Sequence, residues 1–175
     1  MMTRATREQL QTMDPNLARQ WELQKPIVYA IYKGMSGKFG CFQFKLAPAY
    51  DNPNRPDRME GGVFIEAAPA VGPNKYDWNN KIIFALSVTD IGKILHDGLR
   101  QGDINIFHDP GAKTQRANVT RKSLKVTRGP KGGFFWALRE ETAGNDKQVQ
   151  IPVSDDEATV IAELFKASIP KILGW

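Results

Sequence analysis

One cysteine, Cys41, in a chain of 175 residues has no second thiol to pair with, so no intramolecular disulfide frames this fold. Cys41 and the two histidines, His96 and His108, also fall short of a four-ligand zinc site, and neither a metal nor a cofactor is expected. Hydrophobic runs are short. None approaches the ~18 residues that a membrane helix requires, so the chain is not expected to span a bilayer. A Gly-Lys-Ser/Thr phosphate loop is missing, and no nucleophile, base and orienting group assemble into a catalytic set. The expectation is a protein that is not an enzyme. Excess of one charge sign is slight, +5 overall, which by itself assigns no partner.

That charge is unevenly placed. Residues 113–139 hold eight basic side chains and no acid, a local +8, while the rest of the chain holds 16 basic and 19 acidic residues and sums to -3. A solvated loop-and-strand face explains such a run about as well as a polyanionic partner does. The surrounding residues have to decide.

Residues 1–25 have helix-like spacing and mixed charge, without the apolar core of a secretory signal, and their acids argue against a transit peptide. They read as a partly helical, partly disordered arm ahead of a single domain, residues 26–175. Beyond Pro26 the period becomes two: residues 27–33 and 38–46 form a hairpin around Gly34–Gly37. Residues 48–62, with Pro53 and Pro56, read as an exposed loop. Strands follow at residues 63–71 and 75–86. Ser87 then caps a helix with Asp90 three residues on, and Val88, Ile91, Leu95 and Leu99 recur at helical spacing. The pattern recurs: strands at residues 104–108, 119–127, 133–140 and 147–153, then a helix opened by Ser154 and Glu157, with Ile161, Leu164, Phe165, Ser168 and Ile169 as its buried stripe. The fold class is α+β, two antiparallel four-stranded sheets each followed by a helix.

Alternation along residues 119–127 puts Arg121, Ser123, Lys125 and Thr127 on one face and Leu124 and Val126 on the other, with Lys122 as an intruder. Most aromatics fill the core. Phe39 shares its face with Gln43 and Lys45, and Tyr76 and Trp78 alternate with Asp77 and Asn79, so these rings are candidates for exposure. Rings beside cations suit single-stranded nucleic acid, where bases stack at ~1–3 kcal/mol each and lysines follow the phosphates. Neither helix is basic enough to read a duplex groove. His108-Asp109 leads into a turn at Pro110, and Asp155-Asp156-Glu157 answers a helix dipole, so both are read as structural.

The ordered set Asn74-Lys75-Tyr76-Asp77-Trp78, Phe84-Ala85-Leu86-Ser87, Phe107-His108-Asp109-Pro110, Arg121-Lys122-Ser123-Leu124, Ile151-Pro152-Val153 and the closing Ile169-Pro170-x-Ile172-x-Gly174-Trp175 resembles the Whirly proteins of plant organelles. With Tyr32-Lys33-Gly34 upstream, the resemblance covers residues 29–175. It implies two sheets packed roughly perpendicular, a homotetramer, and single-stranded DNA held between neighbouring sheets with little sequence preference. Kinetoplast mitochondrial guide-RNA-binding proteins share that fold, so the resemblance leaves DNA and RNA both open. The plant pattern Lys-Gly-Lys-Ala-Ala falls on Lys33-Gly34-Met35-Ser36-Gly37, with Lys38 close enough to replace the second lysine. The acidic tail of plant members is not expected after Trp175.

The reading that results is a single-stranded DNA-binding protein that protects or organises exposed strands in replication, recombination or repair. RNA binding or annealing, and transcriptional regulation through protein contacts, are the alternatives. Lys33, Lys38, Lys75, Lys81, Arg121, Lys122, Lys125 and Arg128 are expected to neutralise phosphates, and Phe39, Tyr76, Trp78 and Trp136 to stack on bases. Leu164, Phe165, Ile169, Ile172, Leu173 and Trp175 offer an apolar surface for intrachain packing or, as the resemblance implies, for a subunit interface. The expected location is cytoplasmic or nucleoid-associated in a bacterial or viral setting, with an organelle as the alternative.

Overall fold

Period-two alternation decides which way each strand faces, and the computed structural model shows the outcome for residues 27–34, 38–51, 59–109, 120–142 and 144–175. The N-terminal arm, most of the Gly34–Gly37 turn and the centre of the proline-rich segment lie outside the described residues. Strands β1 (Ile27–Tyr32), β2 (Gly40–Asp51), β3 (Met59–Gly72) and β5 (Ile82–Leu86) form one antiparallel sheet in the order β1-β2-β3-β5. A two-residue strand, β4 (Lys75–Tyr76), pairs with the far end of β3. The second sheet is a simple meander of β6 (Asp103–His108), β7 (Arg121–Arg128), β8 (Phe134–Thr142) and β9 (Asn145–Val153).

Helix α1 (Val88–Lys93) follows the first sheet and α2 (Asp155–Leu173) the second. Both begin with a reciprocal cap. The Ser87 hydroxyl accepts from the Asp90 amide while Asp90 accepts from the Ser87 amide, and Ser154 and Glu157 repeat the arrangement. Each cap satisfies amides that the first turn leaves without partners, a contribution of about 1 kcal/mol. Helix α1 then widens into a π-type turn, Ile94–Gly98. The widening brings Ile94 into the core beside Ile91, and Leu95 and Leu99 are left half-buried.

One core joins both sheets and α2. Trp136 and Phe165 are fully buried and meet Phe44, with ring centroids 5.8 Å (Phe44–Trp136) and 6.0 Å (Phe44–Phe165) apart in edge-to-face geometry. Such contacts add roughly 0.5–1.5 kcal/mol each beyond the area they bury. Helix α2 packs on β2 and β3, and β9 packs against β2, β3 and β5. Close approach of the sheets is set at Gly40, where an added Cβ would lie 2.4 Å from the Val149 side chain and 2.5 Å from the Ala68 carbonyl oxygen. Burial pushes the Cys41 thiol up to about 12, so the lone cysteine is inert at neutral pH.

Two boundaries differ from the expectations. Residues 48–51 and 59–62 belong to β2 and β3 rather than to a loop, because Pro48 sits where the register shifts between Ala47 and Tyr50, a site at which a strand tolerates proline. Residues 75–86 are not one strand. Asp77 accepts from the Asn79 and Asn80 amides, 3.0 and 3.3 Å away, and closes a short 3₁₀ turn over Trp78–Asn80.

Candidate nucleic-acid interface

Registers across the second sheet bring alternate residues of four strands onto one open face. Phe107, Ser123, Arg139 and Gln148 form one row, and Asn105, Lys125, Ala137 and Gln150 the next. A third row runs Asp103, Thr127, Phe135 and Pro152. Phe107 is 54% exposed on this face and Phe135 half-buried. Small neighbours flank Lys125, which is exposed and makes no ion pair with any described residue. The face therefore offers a ring, a mobile cation and amide side chains with little to obstruct a flat base.

At one end this face runs into a groove of about 310 Å³ lined by Lys33, Lys131, Phe135, Pro152, Ser154 and Asp155. The β7–β8 turn that carries Lys131 depends on Gly132 and Gly133, with φ of 95° and 67°, a left-handed backbone that other residues adopt at a cost. Lys33 comes to the groove from the end of β1. The same end of the first sheet gathers Lys38, Phe39, Lys75, Tyr76 and Trp78, because the Ala70 amide donates to the Phe39 carbonyl and the Asn74 amide to that of Gly34. Lys38 and Lys75 are exposed, and Phe39 and Trp78 half-exposed. Tyr76 pins the turn: its hydroxyl accepts from the Gly34 amide at 2.9 Å, and its ring packs on Tyr32 at 5.5 Å.

Several expected contacts are already engaged within the chain. Lys33 Nζ lies 2.8 Å from Glu157 Oε1, Arg121 Nε 3.2 Å from Asp109 Oδ2, and Arg128 Nη2 3.5 Å from Asp155 Oδ1. The Arg128 guanidinium also stacks over the Phe134 ring, 4.7 Å from its centroid. Lys122 points into the gap between the sheets, where it donates to the Ile83 carbonyl at 2.9 Å and pairs with Glu140 at 3.0 Å; its place is a tie between sheets rather than on the open face. Trp136 is a plain correction. With zero exposure it cannot stack on a base, because it shares the inward parity of Phe134 and Leu138. Phe165 and Ile172 are likewise buried in the chain's own core and Ile169 packs against it, so of the expected interface residues only Leu164, Leu173 and Trp175 are exposed.

The first sheet has an outer face too. Val28, Lys45, Phe64 and Ala85 form one row, and Ala30, Gln43, Glu66 and Ile83 the next. Glu66 lies between two lysines, 2.7 Å from both Lys45 Nζ and Lys81 Nζ. Burial alone would raise its carboxyl, but hydrogen bonds and charge from Lys45 and Lys81 outweigh burial and hold it below its ordinary value of 4.5. The Glu157 carboxyl is lowered in the same way against its burial, by Lys33 and the Ser154 amide. A carboxyl depressed in the fold stabilises it above the unfolded value and loses that contribution as pH falls through the folded value. Glu66→Gln is therefore expected to lower the melting temperature at pH 7, with the gap to the wild type closing as pH falls below the carboxyl's lowered value. Calorimetry across that range checks it, and a constant gap would remove the ionic account.

His108 has a structural role. Its ring stacks on Phe84 at 4.4 Å, and Nε2 lies 3.3 Å from Asp90 Oδ2 in the α1 cap. Phe107, Phe64, Lys131 and Phe135 were not legible as a set from composition. For Phe107 a signal exists: Ile104, Ile106 and His108 alternate inward, which turns Phe107 out.

Comparison with known proteins agrees with this architecture. The family model described as Whirly transcription factor matches residues 40–164. The single-stranded DNA-binding protein WHY1, chloroplastic, of Solanum tuberosum is 38% identical over 119 residues, 66% of this chain and 43% of that protein. The mitochondrial WHY2 of Arabidopsis thaliana is 32% identical over 155 residues, 85% of this chain and 64% of that protein. This chain thus spans about two fifths to just under two thirds of the length of those relatives. The solved structure of the plant transcriptional regulator PBF-2 superposes with a TM-score of 0.74 at 33% identity, covering 87% of this chain and 85% of that one. Trypanosome MRP1/MRP2 reaches 0.51 at 12% identity, a likeness of fold alone. Two antiparallel sheets each closed by a capped helix, with a family match over residues 40–164 that spans both, place this chain in the Whirly family.

Proposed function

We propose that the chain binds single-stranded DNA with little sequence preference, along the open face of the second sheet and into the Lys33–Lys131 groove. The observation that carries this is the juxtaposition of exposed Phe107 and Lys125 on a face of small and amide side chains, continuous with that groove. Stacking on rings and phosphate neutralisation by mobile lysines tolerate any base sequence. The names of the curated relatives support the same ligand. Lys38, Lys75, Lys125 and Lys131 are the cations ready for phosphates, and Phe39 and Trp78 add stacking surface at the end of the first sheet. The reading is of a binding protein and assigns it no reaction.

Titration of labelled oligo-dT across a salt series tests the proposal, with duplex and matched RNA run beside it. Binding to single strands is expected to weaken with a log–log slope of about 0.7 per phosphate contact, and Lys125→Ala should reduce the slope by roughly that amount. Affinity that is unchanged between low and moderate salt rules out phosphate contact as the mechanism.

The chain is proposed to act as a tetramer, joined through the exposed residues Leu164 and Leu173 of α2 and Trp175 just beyond it. One face offers few contacts, and four copies on one strand multiply them through effective concentration. Light scattering is expected to give four times the chain mass; a monomer at micromolar concentration ends the tetramer reading. Protection of single strands in replication, recombination or repair, and a part in transcription, belong to the same proposal. The named relatives are chloroplastic and mitochondrial, which favours an organelle as its location. The expectation of a bacterial or viral cytoplasm finds no support there.

A further inference from the structure

Lys33 follows directly on β1, and its amide donates to the Gly40 carbonyl at 3.0 Å. The next residue, Gly34, is buried, and both of its backbone groups go to the β3–β4 hairpin. Its amide donates to the Tyr76 hydroxyl at 2.9 Å, and its carbonyl accepts from the Asn74 amide at 3.2 Å. A buried amide left without a partner costs ~1–3 kcal/mol, so the Tyr76 hydroxyl is what lets the chain bury its backbone at this point. Asn74 delivers its amide from a left-handed backbone, φ 55°, which asparagine tolerates better than most residues. Glycine alone fits between them: a Cβ at residue 34 would lie 2.7–2.8 Å from Cε1, Cζ and the hydroxyl oxygen of Tyr76.

The hydroxyl end of Tyr76 is therefore committed within the chain, and the half-buried ring leans on Tyr32 with centroids 5.5 Å apart. Lys33 gains from this on both sides, its own amide held by Gly40 and the residue after it by Asn74 and Tyr76. Its side chain lines the groove, and Nζ lies 2.8 Å from Glu157 Oε1. A lysine whose backbone is fixed at the root has less freedom left to lose when its ammonium grips a phosphate. We propose that Tyr76 is a positioning residue of the single-strand interface: with Asn74 it clamps Gly34 and so holds Lys33 at the groove, where its ammonium passes between Glu157 and a phosphate. Resting on the single-strand binding proposed above, this role replaces base stacking for Tyr76.

Oligo-dT titrated over a salt series against the full chain and its variants tests this. Tyr76→Phe keeps the ring and removes the hydroxyl; affinity at low salt is expected to fall roughly 3- to 10-fold, and the log–log slope by about 0.7, the share of one phosphate. Lys33→Ala should lose the same amount, and the double variant no more than Lys33→Ala alone, since both changes remove one contact. Gly34→Ala, which pushes a methyl into the Tyr76 ring, is expected to match Tyr76→Phe from the other side of the clamp. A clamp that serves stability alone would lower the melting temperature and leave the slope and the coupling to Lys33 untouched, which overturns the proposal. So does a Tyr76→Phe chain of wild-type affinity, or losses that add in the double variant, the mark of a tyrosine that touches the strand directly. A wild type that binds no oligo-dT at low salt overturns the single-strand reading itself, and this role with it.

Discussion

Phe107→Ala is expected to weaken binding of a single-stranded oligonucleotide roughly 5- to 150-fold, the loss of one base stacked on a ring at ~1–3 kcal/mol. The melting temperature should stay within a degree or so of the wild type, because the ring is 54% exposed and contributes little to the core. Phe107→Trp keeps a stacking surface and should keep the affinity, whereas Phe107→Leu keeps the apolar bulk and loses most of it. That pair of variants separates stacking from simple hydrophobic contact. Unchanged affinity in the alanine variant, measured by fluorescence anisotropy at low salt, removes the second sheet's open face as the binding platform.

The opposite result is expected at Trp136. Replacing this fully buried indole with alanine leaves a large cavity beside Phe44 and Phe165, at a cost of about 3–5 kcal/mol. For a chain of this size that corresponds to a fall of roughly 6–20 °C in melting temperature. Oligonucleotide affinity of the folded fraction should not change. Trp136→Phe is expected to be far milder than the volume change implies, because the indole Nε1–H has no hydrogen-bond partner among the described residues and removing it abolishes a desolvation penalty of ~1–3 kcal/mol. Calorimetry and binding on the same samples decide the matter. A Trp136→Ala protein of normal stability and poor affinity would return the residue to the nucleic-acid face.

Much of the fold is legible in the residues because its devices are local. Ser87 with Asp90 and Ser154 with Glu157 are capping signals that need no tertiary information, and both appear in the structure as reciprocal hydrogen bonds. Strand order follows from short turns. The long β2–β3 ladder was hidden by Pro48, since a proline reads as a breaker unless the bulge that accommodates it is known. The site is less legible, for a different reason. Alternation within β8 puts Trp136 inside with Phe134 and Leu138, and alternation within β6 puts Phe107 outside, so residue type alone ranks the wrong ring first. Which lysines are occupied depends on partners distant in sequence: Lys122 meets Ile83, and Lys33 meets Glu157. Such pairs follow from the packing of sheets and helices, which no spacing within one segment encodes.

The carboxylates already seated on the basic residues change how a strand would arrive and leave. Lys33, Lys81, Arg121 and Arg128 each have an internal acid within 3.5 Å, so a phosphate takes these cations by substitution rather than by filling vacant positions. When that phosphate departs, Glu157, Glu66, Asp109 or Asp155 returns to the cation without waiting for a counterion from solvent. On the proposed mode of binding, each contact is a swap in both directions, which lets the strand exchange its grip one nucleotide at a time. Such a surface favours redistribution along a single strand over permanent residence at one place.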